Sequence, residues 1–584
     1  MVGVRIFCKQ QRPALQARTM GPSQNNIRRL SIVDLPEDVL REIFDYFKED
    51  IYYPRGEINY YHRLDADDGD FKNVQNLRLV CRYFSKIASS LLVPVVRANI
   101  SSESLLRIDG LTNNPRIAAG VRLVQVVLAY RPKEVAETFS LYRKLQSKKV
   151  EEVADRCDYY TEFARDRENA PDHIRKILNA RKEYYKIMSA WDGLLNQKKG
   201  DDGIQANREY LKYKEVLNKC YDEYRYKHED QYRLLTDGSF AETLAASISR
   251  MTSLRAVSFF DHEDRPLDEF FDEGVTILAN DTDRLREILV MPQDWIAIED
   301  MKPIPKLLPA KLLWELPVAI HERGKQLREI AIGSLPTRSN FNTLCPVNRH
   351  GTQPAWDRLP AAFQYIQKVG VGRGGNMRRQ TIRREHLLAK EQAHMNNYFT
   401  ALLSGPCLEL IDIDLYVMHL NFGLPQSGTS AKDMIYRFGS VFSSGLRPQL
   451  RSIALCHVSF RERELEQLFS GLSGKLEYMY LYDVGVLDGG WAHLLDVLRE
   501  KLLSGHSHKK CSVELTSLCG GIFDSLPDDH VDDIDIFDED YDFSHVIKSE
   551  KTKLHRDAEK YVSGTEGMVN PLTKLEAKLE YTCN

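Results

Sequence analysis

Along residues 35–47, LPEDVLREIFDYF, apolar side chains recur at Val39, Leu40, Ile43, Phe44 and Phe47, the spacing of a single helix face. Leu35-Pro36 opens the stretch, with Asp34 available as an N-cap and Pro36 at an early helical position where a missing N–H costs little. Residues 76–92, NLRLVCRYFSKIASSLL, repeat the pattern at Leu77, Val80, Phe84, Ile87 and Leu91, while Leu79, Cys81 and Tyr83 add apolar surface off the stripe. Two short helices cannot bury that much apolar surface between themselves, so the surplus is expected to meet a partner or the next domain. Val121, Leu123, Val124, Val126, Val127 and Leu128 form a β-branched run that predicts a buried strand. Residues 132–248 are rich in Lys, Glu, Asp, Arg and Tyr without strand alternation and predict long helices, broken by KKGDDG near 198–203. Tyr184, Tyr185, Ile187, Met188 and Trp191 fall on one broad helical face, expected to pack between helices; no a/d heptad persists, which excludes a coiled coil.

The two N-terminal stretches, LPEDVLREIF and then NLRLVCRYFSKIA, resemble the F-box. The leading Leu-Pro, the Ile-Phe pair and the run Leu-x-x-Val-Cys-Arg-x-Phe carry the likeness. That family's three-helix module docks on the Skp-type adaptor of cullin–RING ubiquitin ligases. Carried over by position, the resemblance implies that Leu35, Pro36, Val39, Ile43, Phe44, Leu77, Leu79, Val80, Cys81 and Phe84 touch the adaptor or hold the module's shape. Leu35, Ile43, Phe44 and Leu79 are the expected anchors. The two halves stand farther apart than in most F-boxes, with an insertion at about 48–73. Long surface insertions cost little closure entropy, so the module can survive it. An ordinary helical hairpin with a Leu-Pro start is the plainer reading of the same residues.

From residue 254 a phrase recurs: Leu254-x-x-Val257-x-Phe259, Leu327-x-x-Ile330-x-Ile332, Leu408-x-x-Ile411-x-Ile413, Leu450-x-x-Ile453-x-Leu455 and Leu476-x-x-Met479-x-Leu481. The last three run on to Tyr416 and Met418, Val458 and Phe460, and Val484 and Val486. Helical stretches such as RERELEQLFSGL and GWAHLLDVLREKLL lie between them. The phrase is similar to the leucine-rich repeat with its Asn slot apolar or aromatic. NPRIAAGVRLVQVVLAY and the LEYMYLYDVGVLDGGW ending also resemble fungal F-box proteins. The resemblance implies a solenoid whose non-Leu strand positions face the concave side: Asp412, Asp414, His457, Tyr478, Tyr480, Tyr482 and Asp483. An aromatic and acidic row suits a basic or Arg-bearing peptide; the alternative is that an insertion or helix covers this face. Spacing is uneven and the Asn ladder is missing, so an irregular solenoid is expected; an α/β domain with a parallel sheet fits the same alternation.

The 584 residues carry a formal net charge of −4, which does not mark a nucleic-acid binder, and 43% hydrophobic residues, enough for sizeable cores. No apolar run is long enough to span a bilayer, and no secretory signal opens the chain. The 10 cysteines are scattered without C-x-x-C, which points to reduced thiols in the cytosol or nucleus rather than to disulfides or zinc. Residues 1–29 are basic, as a mitochondrial presequence would be, yet show no clean amphipathic stripe and read as a disordered tail.

Other signals are weaker. Gly370, Gly372 and Gly375 spell G-x-G-x-x-G without a surrounding βαβ pattern, and with the basic NMRRQTIRREHLL after them they read as a mobile insertion rather than a nucleotide site. DADDGD at 65–70 and DIDIFDEDYD have no Gly at the sixth place with Glu at the twelfth, so neither is an EF-hand, and His506 and His508 have no cysteine pair nearby. The expected fold class is therefore α+β or α/β: a basic tail at 1–29, an all-helical F-box at 30–95, a linking strand and charged helices at 96–250, an irregular repeat domain at 251–524, and an acidic, mostly disordered tail at 525–584. The expected function is that of a non-enzymatic substrate receptor in an SCF-type ligase, without cofactor, metal or membrane contact. The alternatives are an F-box scaffold working outside a ligase and a nucleotide-binding enzyme using residues 370–375.

Overall fold

The computed structural model of the chain describes residues 32–45, 69–163, 170–192, 207–261, 282–336, 338–347, 354–372, 389–415, 436–444, 447–504, 511–524, 550–573 and 575. The basic tail, most of the 48–73 insertion, the basic segment 373–388, Gly375, Tyr416 and Met418, and the acidic run of 525–549 lie outside them. The chain divides into two compact units, Met1–Lys48 and Glu49–Asn584.

In the first unit a 3-10 turn, Ile32–Asp34, leads to helix α1, Glu37–Asp45. The Pro36 carbonyl accepts the Leu40 N–H at 3.0 Å, so the proline stands at the helix entry where no N–H is needed. Glu37 and Asp38 fill the first turn, favourable at the positive helix end, and Glu37 pairs with Arg41 at 2.6 Å.

The second unit begins with α2, Gly69–Val80, and α3, Arg82–Ala88, which pack on each other. Cys81 breaks the helix between them: its backbone is extended, and its sulfur accepts the Phe84 N–H at 3.4 Å as an N-cap. Among the described residues nine strands follow: β1 Val95–Asn99, β2 Leu123–Val127, β3 Ala256–Phe260, β4 Glu329–Ile332, β5 Lys368–Val371, β6 Leu410–Asp414, β7 Ser452–Phe460, β8 Tyr478–Val486 and β9 Ser512–Thr516. All are parallel, and they lie side by side in the order in which they occur along the chain. Parallel neighbours need a crossover, and the helices between strands supply it.

Register makes columns of the strand positions. One core column runs Val96, Val124, Val257, Ile330, Val369, Ile411, Ile453, Met479 and Val513; the next runs Ala98, Val126, Phe259, Ile332, Val371, Ile413, Leu455, Leu481 and Leu515. All of these side chains are buried. Period-two alternation places both columns on one face, against the helices. The connecting helices keep the same order. Helix Ser239–Ser249 packs on Leu312–Glu322, that helix on Arg358–Phe363, and that one on Ala389–Leu402.

Three expectations change. First, the sheet starts at Val95 rather than near residue 251, so a domain boundary at 250 would cut through it. The charged helices Phe139–Phe163, Ala170–Asp192 and Asn207–Thr236 are an insertion between β2 and β3 that shares the sheet's core. Tyr184, Ile187 and Trp191 are buried there as expected, but Tyr185 is exposed under the Arg181 guanidinium. Second, Lys368–Val371 is a strand in mid-sheet: Gly370 pairs with Ala331 and Asp412, so this part of the glycine-rich segment is no insertion. Third, residues 550–562, expected in a disordered tail, form helix Glu550–Val562 against β9. Glu559 accepts the Leu515 N–H at 2.8 Å, His555 Nε2 accepts the Leu518 N–H at 3.0 Å, and Ala558, Val562 and Leu572 are buried. Its apolar stripe is only one residue in four wide, which is why composition hides it.

Candidate binding surfaces

On the sheet face opposite the core, β6, β7 and β8 set three columns side by side. Leu410, Asp412 and Asp414 are in register with Ser452, Ala454 and Cys456, and these with Tyr478, Tyr480 and Tyr482. Neighbouring parallel strands are about 4.8 Å apart, so a column of small side chains separates the Leu410–Asp414 column from the tyrosine column by roughly 10 Å. The Tyr480 and Tyr482 rings stack at 6.2 Å with 17° between their planes. All three tyrosines are half-buried, Asp414 is half-buried, and Asp412, His457 and Asp483 are buried. The expected open row is thus partly closed: its tyrosines keep accessible surface, while three of its polar members do not.

The structure joins four of those residues into a network. His457 Nδ1 lies 2.7 Å from Asp414 Oδ1, and its Nε2 lies 4.0 Å from Asp483 Oδ2. The Tyr482 ring meets the imidazole edge-on at 5.2 Å. Cys519, which sequence reasoning passed over, extends the chain by donating from Sγ to Asp483 Oδ1 at 3.1 Å. Burial, and after it the Asp483 carboxylate, pushes that thiol well above its ordinary range, so it is held protonated and is no nucleophile. His457, Asp483 and Ser517 also share a backbone feature: each follows the paired positions Cys456, Tyr482 and Thr516, and each has a left-handed φ of 54°, 49° and 51°. His and Asp are among the non-glycine residues that tolerate this region best. The stacked kinks let β7 and β8 resume pairing at Val458–Val484 and Phe460–Val486. A polar residue at one fixed place in successive phrases was the available signal for this network.

Gly370 and Gly372 of the G-x-G-x-x-G stretch serve the sheet. Gly372 has φ +86°, donates its N–H to the Ile332 carbonyl at 2.8 Å, and would place a Cβ 1.5 Å from the Asp414 carbonyl oxygen. Only glycine fits that approach. Among the described residues no group of three or more His, Cys, Asp or Glu side chains is placed to hold a metal, and no helix is long and apolar enough to cross a membrane.

The F-box-like residues divide between inward and outward positions. In the first unit Val39 and Ile43 are 37% and 40% exposed, Pro36 is exposed, Leu35 is half-buried, and Leu40 and Phe44 are buried. Phe44 is therefore removed from the expected anchors. In the second unit Phe84 is buried, Leu77 and Cys81 are half-buried, and Leu79 and Val80 are 83% and 62% exposed. No protein-family model matches the chain, and comparisons with curated proteins and with solved structures gave no significant match.

Proposed function

We propose that this chain is the substrate-recognition subunit of an SCF-type cullin–RING ubiquitin ligase. It would bind a Skp-type adaptor through its F-box-like residues and a protein target through an irregular leucine-rich-repeat-like sheet. The observation that carries the reading is the water-facing pair Leu79 and Val80, in a motif whose Phe84 is only 2% exposed. Adjacent exposed aliphatics at a helix end offer surface that a partner can cover, and the F-box pattern assigns these two positions to the adaptor. Val39 and Ile43 on α1 support it separately. The sheet supports the repeat reading: a doubly wound sheet reverses strand order at a switch point, whereas an array adds each strand beside the last, as here.

A receptor of this kind performs no bond chemistry. It holds a target lysine near a charged conjugating enzyme and so raises the effective concentration of the reacting groups. The half-buried Tyr478, Tyr480 and Tyr482, with half-buried Asp414 across the small-residue column, suit a basic or Arg-bearing target segment, through cation–π contact and charge. Affinity purification of the tagged full chain with mass spectrometry tests the reading. Adaptor and cullin recovered together support it; adaptor without cullin moves the protein to a scaffold outside a ligase; recovery of neither contradicts the adaptor assignment.

A further inference from the structure

The residue before each strand forms its own column along the sheet's N-terminal edge. Its carbonyl accepts two N–H groups from the next strand. Arg122 accepts from Arg255 at 3.0 Å and Ala256 at 3.2 Å, Arg255 from Arg328 at 2.9 Å and Glu329 at 3.0 Å, and Arg328 from Gln367 at 2.6 Å and Lys368 at 3.0 Å. The row continues through Glu409, Arg451 and Glu477. Read along the edge from β1 to β9, the column is Pro94, Arg122, Arg255, Arg328, Gln367, Glu409, Arg451, Glu477 and Cys511.

Its two halves treat charge differently. In the later half signs alternate, and Arg451 meets Glu477 of the next strand at 3.5 Å. In the earlier half three arginines stand on adjacent strands about 4.8 Å apart, where like charges oppose each other. Nearby basic groups are already engaged. Arg250 pairs with Asp109, Arg323 with Glu242 at 3.1 Å, Lys325 donates to the Met251 and Thr252 carbonyls at 2.7 and 3.0 Å, and Lys368 lies 4.0 Å from Glu329. Arg255 and Arg328 are exposed, and neither guanidinium has an ion pair or hydrogen bond among the described residues. Arg122 is half-buried and has other contacts.

We infer that this edge, centred on Arg255 and Arg328, is a docking ledge for a carboxylate-rich segment of a partner protein. The ledge itself shows the complement: one half further along, an arginine in the same column takes a carboxylate from the next strand position. An acidic segment laid along the edge supplies carboxylates where Glu409 and Glu477 stand in the later half. Arginine's planar fork binds a carboxylate through two parallel hydrogen bonds, which gives direction as well as charge. The inference is independent of the adaptor assignment, and its test contains no adaptor.

The test is fluorescence anisotropy with the purified full chain and fluorescein-labelled hexaglutamate, against hexaglutamine and a neutral peptide carrying one phosphoserine. Hexaglutamate should bind and weaken as salt rises, and hexaglutamine should not bind. Arg255→Gln and Arg328→Gln should each weaken hexaglutamate about ten-fold, while Arg451→Gln leaves it unchanged. Both ledge variants should melt at or above the wild-type temperature, because a like charge is removed. The inference is overturned if the wild type ignores hexaglutamate, if the ledge variants bind as the wild type does, or if only the phosphopeptide binds in an arginine-dependent way. A fall of several degrees in melting temperature would also overturn it, by showing these arginines to be structural.

Discussion

Replacing Gly372 by alanine separates two explanations of the glycine-rich segment. If glycine is there for a phosphate, the Gly372→Ala variant loses ligand and little stability. If it is there for the sheet, stability falls in the absence of any ligand. A left-handed backbone costs a non-glycine residue about 1–2 kcal/mol. The new Cβ would also stand 1.5 Å from the Asp414 carbonyl oxygen and 2.7 Å from its carbonyl carbon, both backbone atoms that cannot swing aside. Relieving that contact means moving β5 from β6 and weakening the Gly372 bond to Ile332 at 2.8 Å and the Leu415 bond to Cys456 at 3.1 Å. With about 1 kcal/mol for each bond, the expected loss is roughly 3–4 kcal/mol. Gly324 is the control: its φ is +76° but nothing lies within 4 Å of its Cβ position, so Gly324→Ala should cost only the backbone component. In urea titrations followed by fluorescence the Gly372 variant should lose about 1 M in midpoint at a slope near 3 kcal/mol/M, and the Gly324 variant about half of that or less. Equal shifts for the two would refute the packing argument, and an undisturbed Gly372 variant that loses a nucleotide-induced thermal shift would replace it with a phosphate site.

Three further outcomes are expected. Partial burial raises the thiol of half-buried Cys511 to about 11, so native-state alkylation at pH 8, mapped by mass spectrometry, should run roughly a hundred-fold slower there than at a free thiol; ordinary reactivity would contradict that shift. Burial raises the Glu315 carboxyl against the opposing pull of Lys311, so the folded state holds this proton more tightly than the unfolded state. Stability from this group is therefore present below the unfolded carboxylate range and lost as pH rises through the folded value. Glu315→Gln should gain on the wild type between pH 4.5 and pH 8 in thermal melts, and a relative loss over that interval would reverse the assignment. Truncation after residue 549 removes the buried Ala558, Val562 and Leu572 and the partners of the Leu515 and Leu518 N–H groups. It should cost about 3–5 kcal/mol and open β9 to limited proteolysis, whereas an unchanged melt would make the helix dispensable.

How far the repeat phrase was legible depended on which residue opened it. Where Leu stood first, as at Leu254, Leu327, Leu408, Leu450 and Leu476, the strand was found. β2, found from its β-branched run rather than from the phrase, and β5, read as part of an insertion, follow the same spacing with Val121-x-x-Val124-x-Val126 and Ile366-x-x-Val369-x-Val371, and both opening residues are completely buried. The physical requirement is an apolar side chain that fills the edge of the core, which Val and Ile meet as well as Leu. Strand order was not legible at all, because alternation of strands and helices is common to arrays and doubly wound sheets. The aromatic face of Ala170–Asp192 was readable from period alone, but its placement inside the sheet's own core was not, since charge on the outer face mimics a separate helical region. At the F-box-like residues periodicity found α1, but it ran one helical stripe across 76–92 where Cys81 separates α2 from α3. It could not tell Phe44, turned inward, from Ile43 beside it, because both belong to one broad apolar stripe. The acidic and tyrosine columns were found from the strand phrase, whereas the left-handed kinks that draw His457 towards Asp414 depend on backbone geometry that no residue type at Cys456 or Tyr482 announces.

The adaptor assignment is tested most directly by calorimetric titration of purified Skp-type adaptor into the purified chain, alongside Leu79→Asp and Val80→Asp variants. These positions are exposed, so the variants should fold and melt as the wild type does. The wild type is expected to bind as a one-to-one complex, and each aspartate to weaken it at least a hundred-fold by placing a charge in an apolar contact, about 3 kcal/mol. Wild-type binding that both aspartate variants retain in full, or no binding by the wild type, would contradict the account.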